Sequence, residues 1–268
     1  MDQMWANRAA SAEAAIAKRH LRKVWGLPGT QLGVVAWPAA GAHRRFKTWH
    51  YWWQAHLLDN LVDAQLRDPK PERLASITRQ IRGHRLRNIG RWTNSYYDDM
   101  AWLALALERA GRLADVARPK ALHQLADQFL TSWVPEDGGG IPWRKQDQFF
   151  NAPANGPAGI FLARTEGRLR RAQQMADWID ETLIDPETHL VFDGIKGGSL
   201  VRARLSASSH TWALRRCLAP PKIGSSVSFS MVSGLVVAAL MIALSGSIRP
   251  GAISRRRAIW SRVIHNSL

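Results

Sequence analysis

The 268-residue chain has a single cysteine, Cys217, so no intrachain disulfide can form. It also has no Cys/His spacing of the zinc-binding kind. The opening residues, MDQMWANRAASAEAAIAKRH, lack the apolar core of roughly 7–15 residues that a secretory signal needs. They read as an amphipathic helix, and a cytoplasmic start is the expectation. Sustained apolar/polar alternation is absent, so strands are not expected beyond a short extended piece at HLVFDG. Acidic residues are missing from one end: the last is Asp193, and residues 194–268 hold eleven Lys/Arg and no Asp or Glu. That asymmetry accounts for most of the formal net charge of +16, because the first 193 residues carry 26 basic and 21 acidic side chains. The basic residues of the tail follow no helix face, so nucleic acid is not expected as a partner.

What the chain does have is helical periodicity. Apolar residues recur at three- and four-residue spacing over about 4–24, 47–67, 71–88, 96–110, 116–133, 155–166 and 168–184. Gly and Pro punctuate the ends of these stretches: Gly26 and Pro28, Pro69 and Pro71, and Gly111. The class is all-α, with antiparallel helix pairs, over a domain spanning residues 1–200. One loop is long, VPEDGGGIPWRKQDQFFNAPANGP at 134–157, either a functional loop or a disordered excursion. Residues 201–268 form a basic, acid-free, irregular tail. Within it, 223–248 is uncharged and contains the apolar run MVSGLVVAALMIAL. Three readings of that run stand side by side: a transmembrane helix flanked by basic residues, a buried helix, or an ending read out of the original frame.

The chemistry concentrates at NSYYDDMAWLALALERAG, residues 94–111. Ser95 and Asp98 fit the capping pattern [ST]-x-x-[DE]. Capping needs one acid, however, and Asp99 stands beside it. Two neighbouring carboxyl groups resist ionising together, which splits their pKa values into an ionised nucleophile and a protonated acid. Retaining glycosidases use such a pair about 5–5.5 Å apart. Trp92, Tyr96, Tyr97 and Trp102 are placed to cover it. A second cluster, WHYWWQAHLLDN, sets Trp49, Trp52, Trp53, His56 and Asn60 at helical spacing. It reads either as a buried helix face or as a sugar-stacking wall. Thirteen tryptophans in the chain favour flat aromatic surfaces of that kind.

Four stretches taken together resemble glycoside hydrolase family 76, the endo-α-1,6-mannanases: WHYWWQAHLLDNLVDA, YYDDMAWLALALERA, GGGIPWR with NAPANGP, and LIDPETHLVFDGI. They span about residues 5–200. The resemblance implies an (α/α)6 barrel, incomplete here, with a cleft where the inner helices end. It implies retaining hydrolysis, or transfer, of α-1,6-linked mannose in mannans or mannose-containing glycolipids. Asp98 corresponds to the nucleophile and Asp99 to the general acid/base. Trp53, Tyr97, Trp143, Asn155 and Asp193 fall in or beside the motifs as substrate-binding residues. No metal or organic cofactor is implied, and the oligomeric state is left open. Two other functions follow from the tail: an inactive sugar-binding remnant, or a helical protein tethered to a membrane through 223–248.

Overall fold

The computed structural model describes residues 3–135, 138–187 and 190–201. The apolar segment 223–248, and with it all three readings of the tail, lies outside the described residues. No helix among the described residues is long and apolar enough to cross a membrane.

Eight helices are present among them: α1 (Gln3–Arg19), α2 (Gly41–Arg44), α3 (Tyr51–Arg67), α4 (Pro71–Arg87), α5 (Tyr97–Ala114), α6 (Pro119–Thr131), α7 (Ala152–Ala163) and α8 (Leu169–Thr182). Pro71 and Pro119 sit in the first turns of α4 and α6, where a missing N–H costs nothing. The first helix ends five residues sooner than periodicity suggests. Its continuation is pulled out by pairing of β1 (Leu21–Arg22) with β2 (Leu32–Gly33). The third begins at Tyr51 rather than 47, because His50 takes a positive φ of 46° that no helix accepts. Gly111 does not stop α5. The helix runs on until Asp115 turns left-handed, with Ala117 folded back over Gly111. The end of the long loop is helical from Ala152, because Asn151 caps α7 by accepting the Ala154 N–H at 3.2 Å. The expected extended piece HLVFDG ends at Gly194, the first residue of the middle strand in a small antiparallel sheet of β3 (Phe149–Asn151), β4 (Gly194–Lys196) and β5 (Ser199–Val201), while Val191 within it bridges to Ile184. These strands are two or three residues long, too short to leave an alternation signal.

Helices α3, α5 and α7 lie side by side and run parallel. His56 meets Trp102 across α3 and α5, and a turn or two further on Arg109 of α5 reaches Asp59 and Asp63 of α3. Arg164, at the end of α7, reaches Glu108 of α5 at 3.4 Å. The helices α4, α6 and α8 return antiparallel outside their partners. The result is three inner–outer pairs of a helical barrel.

The inner helices are buried nearly all round. Ala101, Ala104, Ala106 and Ala110 on α5, and Ala154 and Ala158 on α7, let their backbones approach closely. The outer helices bury one stripe each; α6 buries Ala121, Leu125, Ala126 and Phe129. Phe129 meets Phe161 edge-to-face at 6.0 Å, and both are fully buried. Truncating such a Phe to Ala typically costs about 3–5 kcal/mol.

The residues between β1 and α2 are fastened to α4 at Gly83. A Cβ there would lie 2.1 Å from the Gln31 carbonyl oxygen, and the Gln31 N–H donates to the Arg79 carbonyl at 3.0 Å. In an exposed helix, Gly→Ala is favourable by about 1 kcal/mol. Here Gly83→Ala is expected to destabilise by about 1–3 kcal/mol through backbone displacement. Thermal unfolding followed by circular dichroism checks the sign, which opposes the helix propensity.

Candidate active site

The chain before α5 is not capped by Ser95, which corrects the capping-box expectation. The N-cap position of α5 is Tyr96, with no side-chain cap, and Asn94 shapes the turn before it. The Asn94 Oδ1 accepts the Tyr96 N–H at 2.9 Å, and its Nδ2 donates to Asp99 Oδ2 at 2.6 Å. Ser95 contributes only its carbonyl, which accepts the Lys145 N–H at 2.8 Å. Asp98 does not reach back to the cap. Its Oδ1 accepts the Asp99 N–H at 2.8 Å, and its Oδ2 accepts the Trp143 indole N–H at 2.9 Å.

Trp143 reaches Asp98 because the long loop is zipped to the start of α5. The Tyr97 N–H donates to the Trp143 carbonyl at 2.9 Å, and the Trp143 N–H donates to the Phe149 carbonyl at 2.7 Å. Further back, Gly139 and Gly140 take positive φ values of 113° and 91°. A Cβ on Gly140 would lie 2.8 Å from the Trp178 ring, so this glycine run is a packing requirement. Asn155, fully buried, fixes the same strip from below. Its Oδ1 accepts the Ile141 N–H, and its Nδ2 donates to the Ile141 carbonyl, each at 2.8 Å. The described residues of the loop are therefore held in place by hydrogen bonds and packing rather than forming a loose excursion.

The two carboxyl groups meet different surroundings. Burial raises the pKa of both. Against that, Asp98 has two donors, the Trp143 indole and the Asp99 amide, which favour its ionised form. Asp99 has the charge of Asp98 beside it, and only Asn94 to offset burial; it is pushed up to about 7. Below about 7 Asp99 is therefore protonated, while the two donors to Asp98 oppose the effect of its burial. Tyr51 lies on the same side. Its hydroxyl donates to the Trp92 carbonyl, and burial with the nearby Asp99 charge raises its pKa.

Aromatic side chains of α3 and α5 continue from the pair. Trp102, one turn beyond Asp98, packs on His56 with ring centroids 4.7 Å apart. His56 meets Trp52 at 5.7 Å, and Trp53 stacks against His50 at 4.6 Å. Burial lowers His56 to about 4, so it is neutral near pH 7.

The residues expected to bind substrate divide into two groups. Trp143 touches the pair directly, and partly exposed Trp53 belongs to the aromatic wall. Tyr97 and Asn155 are buried; the Tyr97 hydroxyl turns to Ser132, and both residues act on the loop instead. Asp193 is half-buried, its carboxyl raised by burial, and its carbonyl accepts the Ala152 N–H at 2.9 Å. Asn60 is exposed and donates to its own helix, and Trp49 packs among Tyr51, His84 and Arg87. The sequence reading did not single out Asn94. Its only signal is a polar residue just before the pair.

The sequence matches glycosyl hydrolase family 76 over residues 8–212. The chain belongs to this family. No curated protein matches it. Solved structures agree on the helical-barrel fold. The Lin0763 protein from Listeria innocua is 24% identical with a TM-score of 0.64, over 74% of this chain and 59% of that one. The present chain thus spans less than two thirds of that protein's length. The GH76A α-1,6-mannanase from Salegentibacter sp. HEL1_6 is 22% identical with a TM-score of 0.68, over 98% of this chain and 86% of that one. An inactive variant of the Salegentibacter enzyme, with two consecutive aspartates changed to alanine, is solved in complex with α-1,6-mannotetrose at the same identity and coverage.

The raised pKa of Asp99 also bears on stability. An acid whose folded-state pKa lies above its unfolded value stabilises the fold only while protonated. That contribution is complete below the ordinary value of 3.8 and is lost as pH rises to about 7. Asp99→Asn is therefore expected to raise Tm at pH 8, by an amount corresponding to about 1–3 kcal/mol. The gain should shrink toward pH 4, and calorimetry at the two pH values checks it.

Proposed function

We propose that the protein is a retaining glycoside hydrolase acting on α-1,6-linked mannose. Asp98 is the nucleophile and Asp99 the general acid/base. The observation that carries this reading is the split environment of the adjacent pair: one carboxylate accepts two donors that favour its ionised form against burial, and the other is kept protonated by burial and by its neighbour. A related fold serving as an α-1,6-mannanase, inactive when two consecutive aspartates are removed, supports the substrate class and the pair.

The chemistry runs in two steps. Asp98 attacks the anomeric carbon, and the bond to the leaving oxygen breaks as Asp99 delivers its proton to that oxygen. The sugar is now an ester of Asp98, and Asp99 is ionised. Asp99 then takes a proton from water as the water oxygen attacks the same carbon. Asp98 is released, Asp99 is reprotonated, and the configuration is retained. A sugar hydroxyl in place of water gives transfer, on a glycan or a glycolipid. The Trp143 indole favours the ionised form of Asp98, and Trp53 and Trp143 offer flat faces to mannose rings. Tyr97 and Asn155 hold Trp143 in position, and Asp193 lies at the edge of the sheet that follows.

Reducing ends released from α-1,6-mannan test the proposal. Wild type should hydrolyse it with retention at the anomeric carbon, and Asp98→Asn should lose several orders of magnitude in rate. Because Asp99 must be protonated to donate, the rate should fall as pH rises through about 7. Activity undiminished in Asp98→Asn, or an inverted product, would refute the assignment.

A further inference from the structure

The function proposed above leaves one large surface unused. No acidic residue occurs between Glu13 and Asp59, and none between Glu72 and Asp98. The first interval holds seven Lys/Arg, among them Arg22, Lys23, Arg44, Arg45 and Lys47. The second holds six, five of them from Arg79 onward. The fold brings the two intervals together. Arg87 Nε donates to the Phe46 carbonyl at 2.6 Å, Gln31 is bonded to Arg79, and Trp25 Nε1 donates to the Arg45 carbonyl at 2.9 Å. Among the described residues, none of these cations from Lys18 to Lys47, or from Arg79 to Arg91, pairs with a carboxylate. Those that hydrogen-bond do so to backbone carbonyls: Arg22 to Lys18 and Leu21, Arg44 to Ala39, Arg85 to Gly90.

The same two intervals expose large apolar side chains. Trp25 is 53% exposed, Leu27 45%, Trp37 54% and Ile89 84%. Trp25 is held outward in a left-handed conformation, φ 50°, unfavourable for a bulky residue. Ile89 stands out in the same way, φ 55°, between Arg87 and Arg91. Nucleic acid would use the cations and could stack on tryptophan, but has no use for exposed Leu27 and Ile89. A bilayer uses all of them: cations attract anionic headgroups, tryptophan settles at the interface, and aliphatic side chains enter the acyl boundary.

We propose that this face docks the protein on an anionic lipid bilayer. The loop that carries Arg91 also carries Asn94, the partner of Asp99, so docking would hold the carboxylate pair beside the membrane surface. The proposal does not depend on the catalytic assignment, and its test does not read activity.

Sedimentation of the full chain with sucrose-loaded vesicles decides it. Vesicles of phosphatidylcholine with about one third phosphatidylglycerol should bind at least about tenfold more tightly than phosphatidylcholine alone, and added salt should weaken the binding. Reversing Lys23, Arg45, Lys47 and Arg82 to Glu together should cost about a hundredfold. Changing Trp25, Leu27 and Ile89 to Ser, with charge intact, should cost about tenfold. Circular dichroism confirms folding of each variant, and the salt titration of wild type needs no variant. Equal binding to neutral vesicles, or binding indifferent to charge reversal, would overturn the proposal and point to a segment outside this face. Binding indifferent to the Ser changes, with a DNA duplex bound as tightly as the vesicles, would overturn it in favour of a general polyanion site.

Discussion

Trp143 donates its indole N–H to Asp98 at 2.9 Å, and much of this fold is arranged so that it can. Two carboxyl groups on consecutive residues cannot both be ionised away from water at small cost. Something must decide which one holds the charge. The indole and the Asp99 amide decide for Asp98, and Asn94, with one hydrogen bond, does not outweigh burial and repulsion at Asp99. The asymmetry is local, but its support is not. The loop carrying Trp143 is closed on the start of α5, laid against Trp133 and Trp178 through Gly139 and Gly140, and pinned to α7 by Asn155.

Close packing of the inner helices lets one loop reach across from α7 to α5. Small residues on α5 and α7 set that spacing, and the charged groups Asp59, Asp63, Arg109, Glu108 and Arg164 tie the far ends together. The near ends hold the carboxylate pair. Buried carboxyls there are a cost to stability that the packed core offsets.

The helices were legible because each buries a face with a 3.6-residue period. Pro71 marked one start for a plain reason, the tolerance of proline in a first turn; α6 begins at Pro119 for the same reason, three residues later than periodicity suggests. Misplaced boundaries fall where tertiary contacts outweigh local preference: β1 pulls residues from the end of α1, and Gly111 stays helical because Ala117 closes over it. The aspartate pair was legible from chemistry, since capping explains one acid and not two. Asn94 was not, because a single polar residue before a helix carries no spacing signal. Tyr97 and Asn155 lie near the pair, but they act on it through the backbone and through buried amide bonds, which side-chain type alone does not reveal.

The basic, tryptophan-bearing face was hidden for a different reason. Net charge over the first 193 residues is modest, so composition gives no warning. Only folding brings the two acid-free intervals together. The central claim remains the divided protonation of the pair, and a carbon-13 NMR titration of labelled aspartate carboxyls, assigned with Asp98→Asn and Asp99→Asn, tests it most directly. Asp99 should titrate near 7, and Asp98 should titrate separately, at lower pH than Asp99. Two carboxyls titrating together near the ordinary value of 3.8 would contradict it.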